Sequence, residues 1–130
     1  MEIEFSQHFI KQLKKLGKKY RYIADDVDIF IQDLICDRVE GDKLQGIDRN
    51  VYKARIKNTS TNKGKSGGFR VVYEIRSDGS ILLLLTIYSK SEQQNITLKE
   101  LKKLFWYDRT LTPQILALKL VMRWTPYFAT

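Results

Sequence analysis

Cysteine and histidine each occur once in this sequence, as Cys36 and His8. One cysteine excludes an intramolecular disulfide. One of each excludes a zinc site built from cysteine and histidine. A lone histidine in an N-terminal helix also leaves no Ser–His or Cys–His pair for nucleophilic catalysis. Cys36 therefore reads as a small core or boundary residue, and His8 as a surface or boundary residue rather than a base. Apolar runs are short, and none approaches the roughly 20 residues of a bilayer-spanning helix. The start, Met1-Glu2-Ile3-Glu4-Phe5, lacks the basic and then apolar stretch of a secretory signal. Asp25, Asp26 and Asp28 are the densest carboxylates, but they face partly opposite ways at a helix start and do not suggest a metal site. We therefore expect a reducing, cytoplasmic setting, no membrane association and no cofactor.

Acidic residues are also outnumbered, 15 against 23 Lys and Arg, for a net charge of +8. That excess suits a polyanionic partner such as nucleic acid or the ribosome. With 43% hydrophobic residues the chain can still bury an ordinary core, so global disorder is not expected.

The pattern begins with a short strand, in which Glu2 and Glu4 alternate with Ile3 and Phe5. Phe5, Phe9, Leu13, Leu16 and Tyr20 then recur at helical spacing behind Ser6, a plausible N-cap. The outer face of this helix carries Lys11, Lys14, Lys15, Lys18 and Lys19. Two readings stay open for it, a solvated face or a phosphate-binding flank formed by Lys14, Lys15 and Lys18. A second helix is predicted from Tyr22 to Asp37, with Ile23, Val27, Phe30, Ile31 and Leu34 inward. The tight link at Tyr20–Tyr22 makes the two an αα-hairpin.

Three strands follow. In Val51–Lys57, period two sets Lys53, Arg55 and Lys57 on one side and Tyr52, Ala54 and Ile56 on the other. In the next, Phe69, Val71, Tyr73 and Ile75 oppose Arg70, Val72, Glu74 and Arg76. Ile81–Ser89 is almost wholly apolar and reads as a central strand covered on both faces. The Asn58–Gly68 segment is a long polar tip, with Lys65 in it, and Asp78-Gly79 centres a tight hairpin. Gly64-Lys65-Ser66 imitates a phosphate-binding loop. However, Thr59 stands where that motif needs glycine, and a strand follows instead of a helix. Thr97 and Glu100 then form a capping box, with Ile96 and Leu101 as its hydrophobic staple. Leu98, Leu101, Leu104 and Phe105 would face the core.

The expected fold is therefore α+β: a small antiparallel sheet in the order β-α-α-β-β-β-α, with the αα-hairpin packed on one face. Residues 1–105 form the domain. Residues 106–130 read as an extension with an extra apolar helix after Thr112-Pro113, able to cover a groove or join a second copy.

Lys53 and Arg55 share a strand face, and Arg70 falls near them if the hairpin closes at 58–68. Lys90, just past the third strand, could complete the ring. Converging cations suit a phosphate whose charge grows in a transition state. A merely solvated polar sheet face stays open beside that reading.

Three segments together carry a family resemblance: Val51-Tyr52-Lys53-Ala54-Arg55-Ile56, the run from Gly64 to Ile75, and the run from Leu84 to Thr97. They resemble the RelE/ParE toxin superfamily, and within it the RelE-like, HigB-type toxins of type II toxin–antitoxin systems. The resemblance implies a metal-independent endoribonuclease that enters the ribosome and cuts mRNA. The ribose 2′-hydroxyl attacks the adjacent phosphate, leaving a 2′,3′-cyclic phosphate and a 5′-hydroxyl. It implies catalytic roles for Lys53, Arg55, Arg70 and Lys90; by their charge, Lys14, Lys15, Lys18, Lys57 and Lys65 are the expected RNA contacts. It also implies a cognate antitoxin, of helix-turn-helix type. Ile96 stands where relatives carry a catalytic tyrosine. Two alternatives remain on the same fold: a ParE-like toxin aimed at gyrase, and an inactivated toxin that only binds RNA or antitoxin.

Overall fold

The computed structural model describes residues 2–36, 41–61, 67–93 and 95–107. Five strands form one sheet in the order β1-β5-β4-β3-β2. They are β1 (Glu2–Phe5), β2 (Asp42–Lys43), β3 (Val51–Ile56), β4 (Phe69–Arg76) and β5 (Ile81–Ser89). β1 runs parallel to β5, and the other neighbours are antiparallel. The helices are α1 (Gln7–Gly17), α2 (Ile23–Ile35) and α3 (Leu98–Tyr107). The architecture is thus the expected α+β plan, with β2 added at the edge. No helix among the described residues is long and apolar enough to cross a membrane. The predicted helix after Thr112-Pro113 and Lys65 lie outside the described residues.

Local chemistry explains the element ends. Ser6 caps α1: its Oγ accepts from the Phe9 amide at 3.0 Å and donates to the Leu85 carbonyl at 2.7 Å. One hydroxyl therefore starts the helix and anchors it to the central strand. Asp78 and Gly79 both take positive φ, 55° and 94°, as a tight hairpin turn between β4 and β5 requires. At Gly68 a Cβ would lie 2.0 Å from the Ile56 carbonyl oxygen. Only glycine lets β3 and β4 close there, so this glycine fixes the strand register rather than serving the tip alone.

Two cores sandwich the sheet. Beneath the αα-hairpin lie Phe9, Leu13, Val27, Phe30, Phe69, Val71, Leu82, Leu84 and Ile87, with Tyr20 and Tyr73 at the edges. Each such buried side chain contributes about 1.5–3 kcal/mol. The other face has its own smaller core of Val51, Val72, Leu83, Leu85, Tyr88, Leu101 and Leu104. α3 therefore covers the face opposite the αα-hairpin. Leu101 and Leu104 point inward as predicted, whereas Leu98 is exposed. Ile96 packs on this second core, as the staple reading required. Cys36 is exposed at the end of α2, so it is not a core residue.

A polar clasp holds each face of the sheet. Glu74, 3% exposed, accepts from Arg49 at 2.6 and 3.0 Å and from Arg76 at 2.5 Å. The Arg49 guanidinium also lies 4.0 Å from the Phe105 ring centre, tying the 44–50 segment to α3. On the opposite side, the buried Asp26 carboxylate accepts from the Thr59 amide at 2.9 Å and from the Thr59 hydroxyl. That pair pins α2 to the chain leaving β3.

Candidate functional site

The site is set by strand register. Arg55 pairs with Arg70 across β3 and β4, and Arg70 pairs with Tyr88 across β4 and β5. The next row is Lys53, Val72 and Thr86. Residues directly opposite across a ladder have Cβ atoms about 4.5–5.5 Å apart and share a face. Lys53, Arg55, Arg70 and Tyr88 thus occupy adjacent places on the second face, beside the core under α3.

Their surroundings differ. Arg55 is exposed, and Arg70 is only 5% exposed. Burial, and then the charge of Arg55, depress the Arg70 pKa. A guanidinium nonetheless stays protonated. Like charges set opposite one another in a sheet are destabilising, so this pair is held by the fold against its own repulsion. One Nη of Arg70 donates to the Phe69 carbonyl at 3.3 Å. Lys53 is half-buried and donates to the Asn95 side-chain oxygen at 3.0 Å. The same oxygen accepts from the Ile96 amide, so Lys53 is tied to the β5–α3 connection.

Lys90 is half-buried, one residue past β5, where its amide donates to the Gly68 carbonyl at 3.0 Å. It therefore sits at the end of the strand that bears Tyr88. Lys57 is exposed and diverges from the row. With Arg55 it lines a cavity of about 150 Å³ against Asp26, Ile29 and Asp33 of α2. Lys14 and Lys15 on α1 and Lys18 at its C-terminal cap are all exposed. Only Lys15 borders a depression shared with Tyr88, Ser89, Glu92 and Gln93. Lys19 is engaged with Glu92 at 2.8 Å.

Sequence reasoning left Tyr88 out of the site, as a tyrosine on the strand itself rather than after it, where relatives carry theirs. Its side chain is 3% exposed, and its hydroxyl is buried with no hydrogen-bond partner among the described residues. Burial pushes the phenol pKa up. A usable signal existed: after the apolar run Ile81–Leu85, Thr86 and Tyr88 set two polar tips two apart, on one face of the strand. His8 takes the boundary position expected of it: it is half-buried and lines a cavity with Tyr88 and Glu100, and burial followed by the Lys11 charge lowers its pKa.

Residues 3–94 match the family described as the ParE toxin of type II toxin–antitoxin systems. The chain belongs to this toxin family. It is thereby a member of the RelE/ParE superfamily, and the matched span runs from Ile3 within β1 through β5 and takes in the whole cation row. Among solved structures, this toxin is similar to a mutant of the E. coli toxin RelE in the free state. The identity is 20% and the TM-score 0.46, over 85% of this chain and 97% of that one. The isolated E. coli RelE toxin matches at 18% identity and TM-score 0.47, over 80% and 95% of the two chains. The intact E. coli RelBE toxin–antitoxin complex matches at 22% and 0.46, over 68% of this toxin and 94% of that chain.

Proposed function

We propose that this toxin is a RelE-like, HigB-type mRNA endoribonuclease working on the ribosome without a metal or other cofactor. The observation that carries the reading is the Arg55–Arg70 pair, directly opposed in register with Arg70 buried. Two guanidinium groups forced together repel each other, and a phosphate between them would reverse that cost. The charge on a phosphate being attacked by the neighbouring 2′-oxygen grows in the transition state, where fixed cations act most strongly. Arg55 and Arg70 would grip the phosphate oxygens. Lys53, one row away, would serve beside the attacking oxygen as base or charge stabiliser, and Lys90 would close the ring. The P–O5′ bond breaks, giving a 2′,3′-cyclic phosphate and a 5′-hydroxyl. Lys14, Lys15 and Lys18 of α1, with Lys57 and Lys65, would hold RNA through its phosphates. Residues 1–105 would form the catalytic unit in a cytoplasmic setting, and residues 106–130 an extension able to cover a groove or join a second copy.

The partner that restrains it would be a cognate antitoxin of helix-turn-helix type. α2 supports a protein contact rather than RNA, because it presents exposed Ile29 and Ile35 beside Asp25 and Asp33, with Tyr22 at its start. The family description also keeps a gyrase-directed reading in view. The two separate experimentally. Induced in bacteria, the wild type should arrest growth and cut mRNA, and Arg70→Met should lower cleavage about 10²–10³-fold, the usual cost of removing one transition-state donor. The variant should remain folded, since methionine keeps most of the buried side-chain volume. Full cleavage by Arg70→Met overturns the site. Intact mRNA with inhibited supercoiling assigns the toxin to gyrase instead.

A further inference from the structure

Lys53 has two acceptors to choose between, and it takes the neutral one. Across β2 and β3 it stands directly opposite Asp42. Residues so placed share a face, with Cβ atoms about 4.5–5.5 Å apart, and opposite charges there attract. Among the described residues no ion pair joins the two. The Lys53 ammonium instead donates to the Asn95 side-chain oxygen at 3.0 Å. We propose that Asn95 is a positioning residue for the RNA-cutting reaction, holding Lys53 turned inward over the cation row and away from Asp42. The inference rests on the nuclease reading above, and it names what keeps the lysine of that reading in place.

Three observations carry it. The first is direction. Gln93 and Ile96, on either side of Asn95, line the space beside Thr86 and Tyr88 of β5. Asn95 therefore stands on the β5 side of Lys53, and Asp42 on the β2 side. Arg70 lies on β4, between β3 and β5. A lysine leaning to Asn95 thus crosses toward Arg70, and one leaning to Asp42 leaves it. The second is anchorage. The Asn95 side-chain oxygen also accepts from the Ile96 amide at 3.1 Å, and the Asn95 carbonyl accepts from the Gln93 side-chain amide at 2.9 Å. Ile96 in turn packs on the core beneath α3. The acceptor is fixed before any RNA arrives.

The third is charge. An amide oxygen accepts as a dipole, without a full counter-charge. Bonded to Asn95, the ammonium keeps its charge available to a phosphate, whereas an ion pair with Asp42 would offset it. Position matters as much as charge. A lysine side chain has many rotamers, so an untethered ammonium is spread over many places. Fixed charges stabilise a transition state best when they need no rearrangement at the moment of reaction. Asn95 and Asp42 are both exposed, so replacing either leaves the two cores in place.

The test is cleavage of mRNA on programmed ribosomes by the full chain, with kcat and KM measured separately. Asn95→Ala should lower kcat about tenfold and leave KM within about twofold, inside the roughly hundredfold that a misplacement of about 1 Å can cost. Asn95→Leu, which keeps the volume but also lacks an acceptor, should do the same. In a Lys53→Met background neither substitution should add a further loss, because both act through the lysine. Asp42→Ala alone should leave kcat unchanged. Added to Asn95→Ala, it should recover kcat to within about threefold of wild type, since the competing carboxylate is gone. An Asn95→Ala loss that persists in full in the Lys53→Met background overturns the proposal and makes Asn95 a direct RNA contact or a support of α3. Wild-type kcat in Asn95→Ala and Asn95→Leu overturns it too, as does a failure of Asp42→Ala to recover any of the loss. Each of these leaves the nuclease reading standing. Intact mRNA with the wild type overturns that reading, and the positioning role with it.

Discussion

The two faces of the sheet are made from the same strands by alternate residues, and they have opposite characters. Under the αα-hairpin the inward positions of β3, β4 and β5 are mostly apolar: Ala54, Ile56, Phe69, Val71, Leu82, Leu84 and Ile87, with only the Tyr73 hydroxyl, which accepts from the Gly41 amide, and Ser89, which meets the Tyr20 hydroxyl, as buried polar groups. On the other face the buried positions include Arg70, Glu74, Thr86 and Tyr88 beside a core of only a few side chains. The first face is arranged to hold the fold. The second buries charge that a stability-driven face would replace, and it keeps two partly open spaces beside that charge. Binding chemistry on a small domain is affordable on one side when the other side supplies most of the apolar burial.

That contrast can be broken in a graded way. The largest effect belongs to the apolar face. Phe9 is fully buried and packs against Phe5, with ring centres 5.7 Å apart. Phe9→Ala should cost about 3–5 kcal/mol, read as a lower urea midpoint with an unchanged slope. A loss under about 1 kcal/mol would show that the αα-hairpin does not hold the sheet as described. Arg70→Met on the second face should show the opposite pattern, with a functional loss far larger than its loss of stability.

A middle effect belongs to Glu74, the one carboxylate the second face buries between two arginines. Its partners are more exposed, with side chains at 38% and 32%, so water screens part of the attraction. Glu74→Gln should therefore cost about 1–3 kcal/mol, in the range of hydrogen bonds to charged groups. The loss should be accompanied by faster amide exchange in the 44–50 segment, which Arg49 anchors to Phe105. Unchanged exchange there would mean that the clasp does not organise that segment.

Much of this arrangement was legible in the sequence because it is local. The Ser6 cap, the Asp78-Gly79 turn, the Thr97 cap of α3, and the parity of Lys53, Arg55 and Arg70 each depend on residues a few places apart. What was not legible depends on distant partners. The Ile81–Ser89 run is apolar on both sides, so its parity is invisible until α3 is seen on the second face. Its register also shifts between Val72 and Tyr73, which moves Tyr88 into line with Arg70. The Asp26–Thr59 clasp joins residues 33 positions apart, and no periodicity announces it. The cavity beside His8 is lined from α1, β5 and α3, which lie far apart in the chain, and no local pattern announces it.

His8 offers the finest test of the contrast, since it lies where the stability-bearing helix borders the second face. Burial and the charge of Lys11 place its folded pKa below the ordinary value of 6.5. Above that pH both folded and unfolded chains hold it neutral, and it adds no slope. As the pH falls below 6.5 the unfolded chain takes up the proton first, so the folded state loses relative stability until the folded pKa is passed. Urea midpoints measured at intervals below pH 6.5 should therefore fall more for the wild type than for His8→Gln. Glu100 lines the same cavity and could reverse the sign by attracting the imidazolium. A wild type that instead gains stability over His8→Gln on acidification would place that carboxylate, rather than desolvation, in control of the histidine.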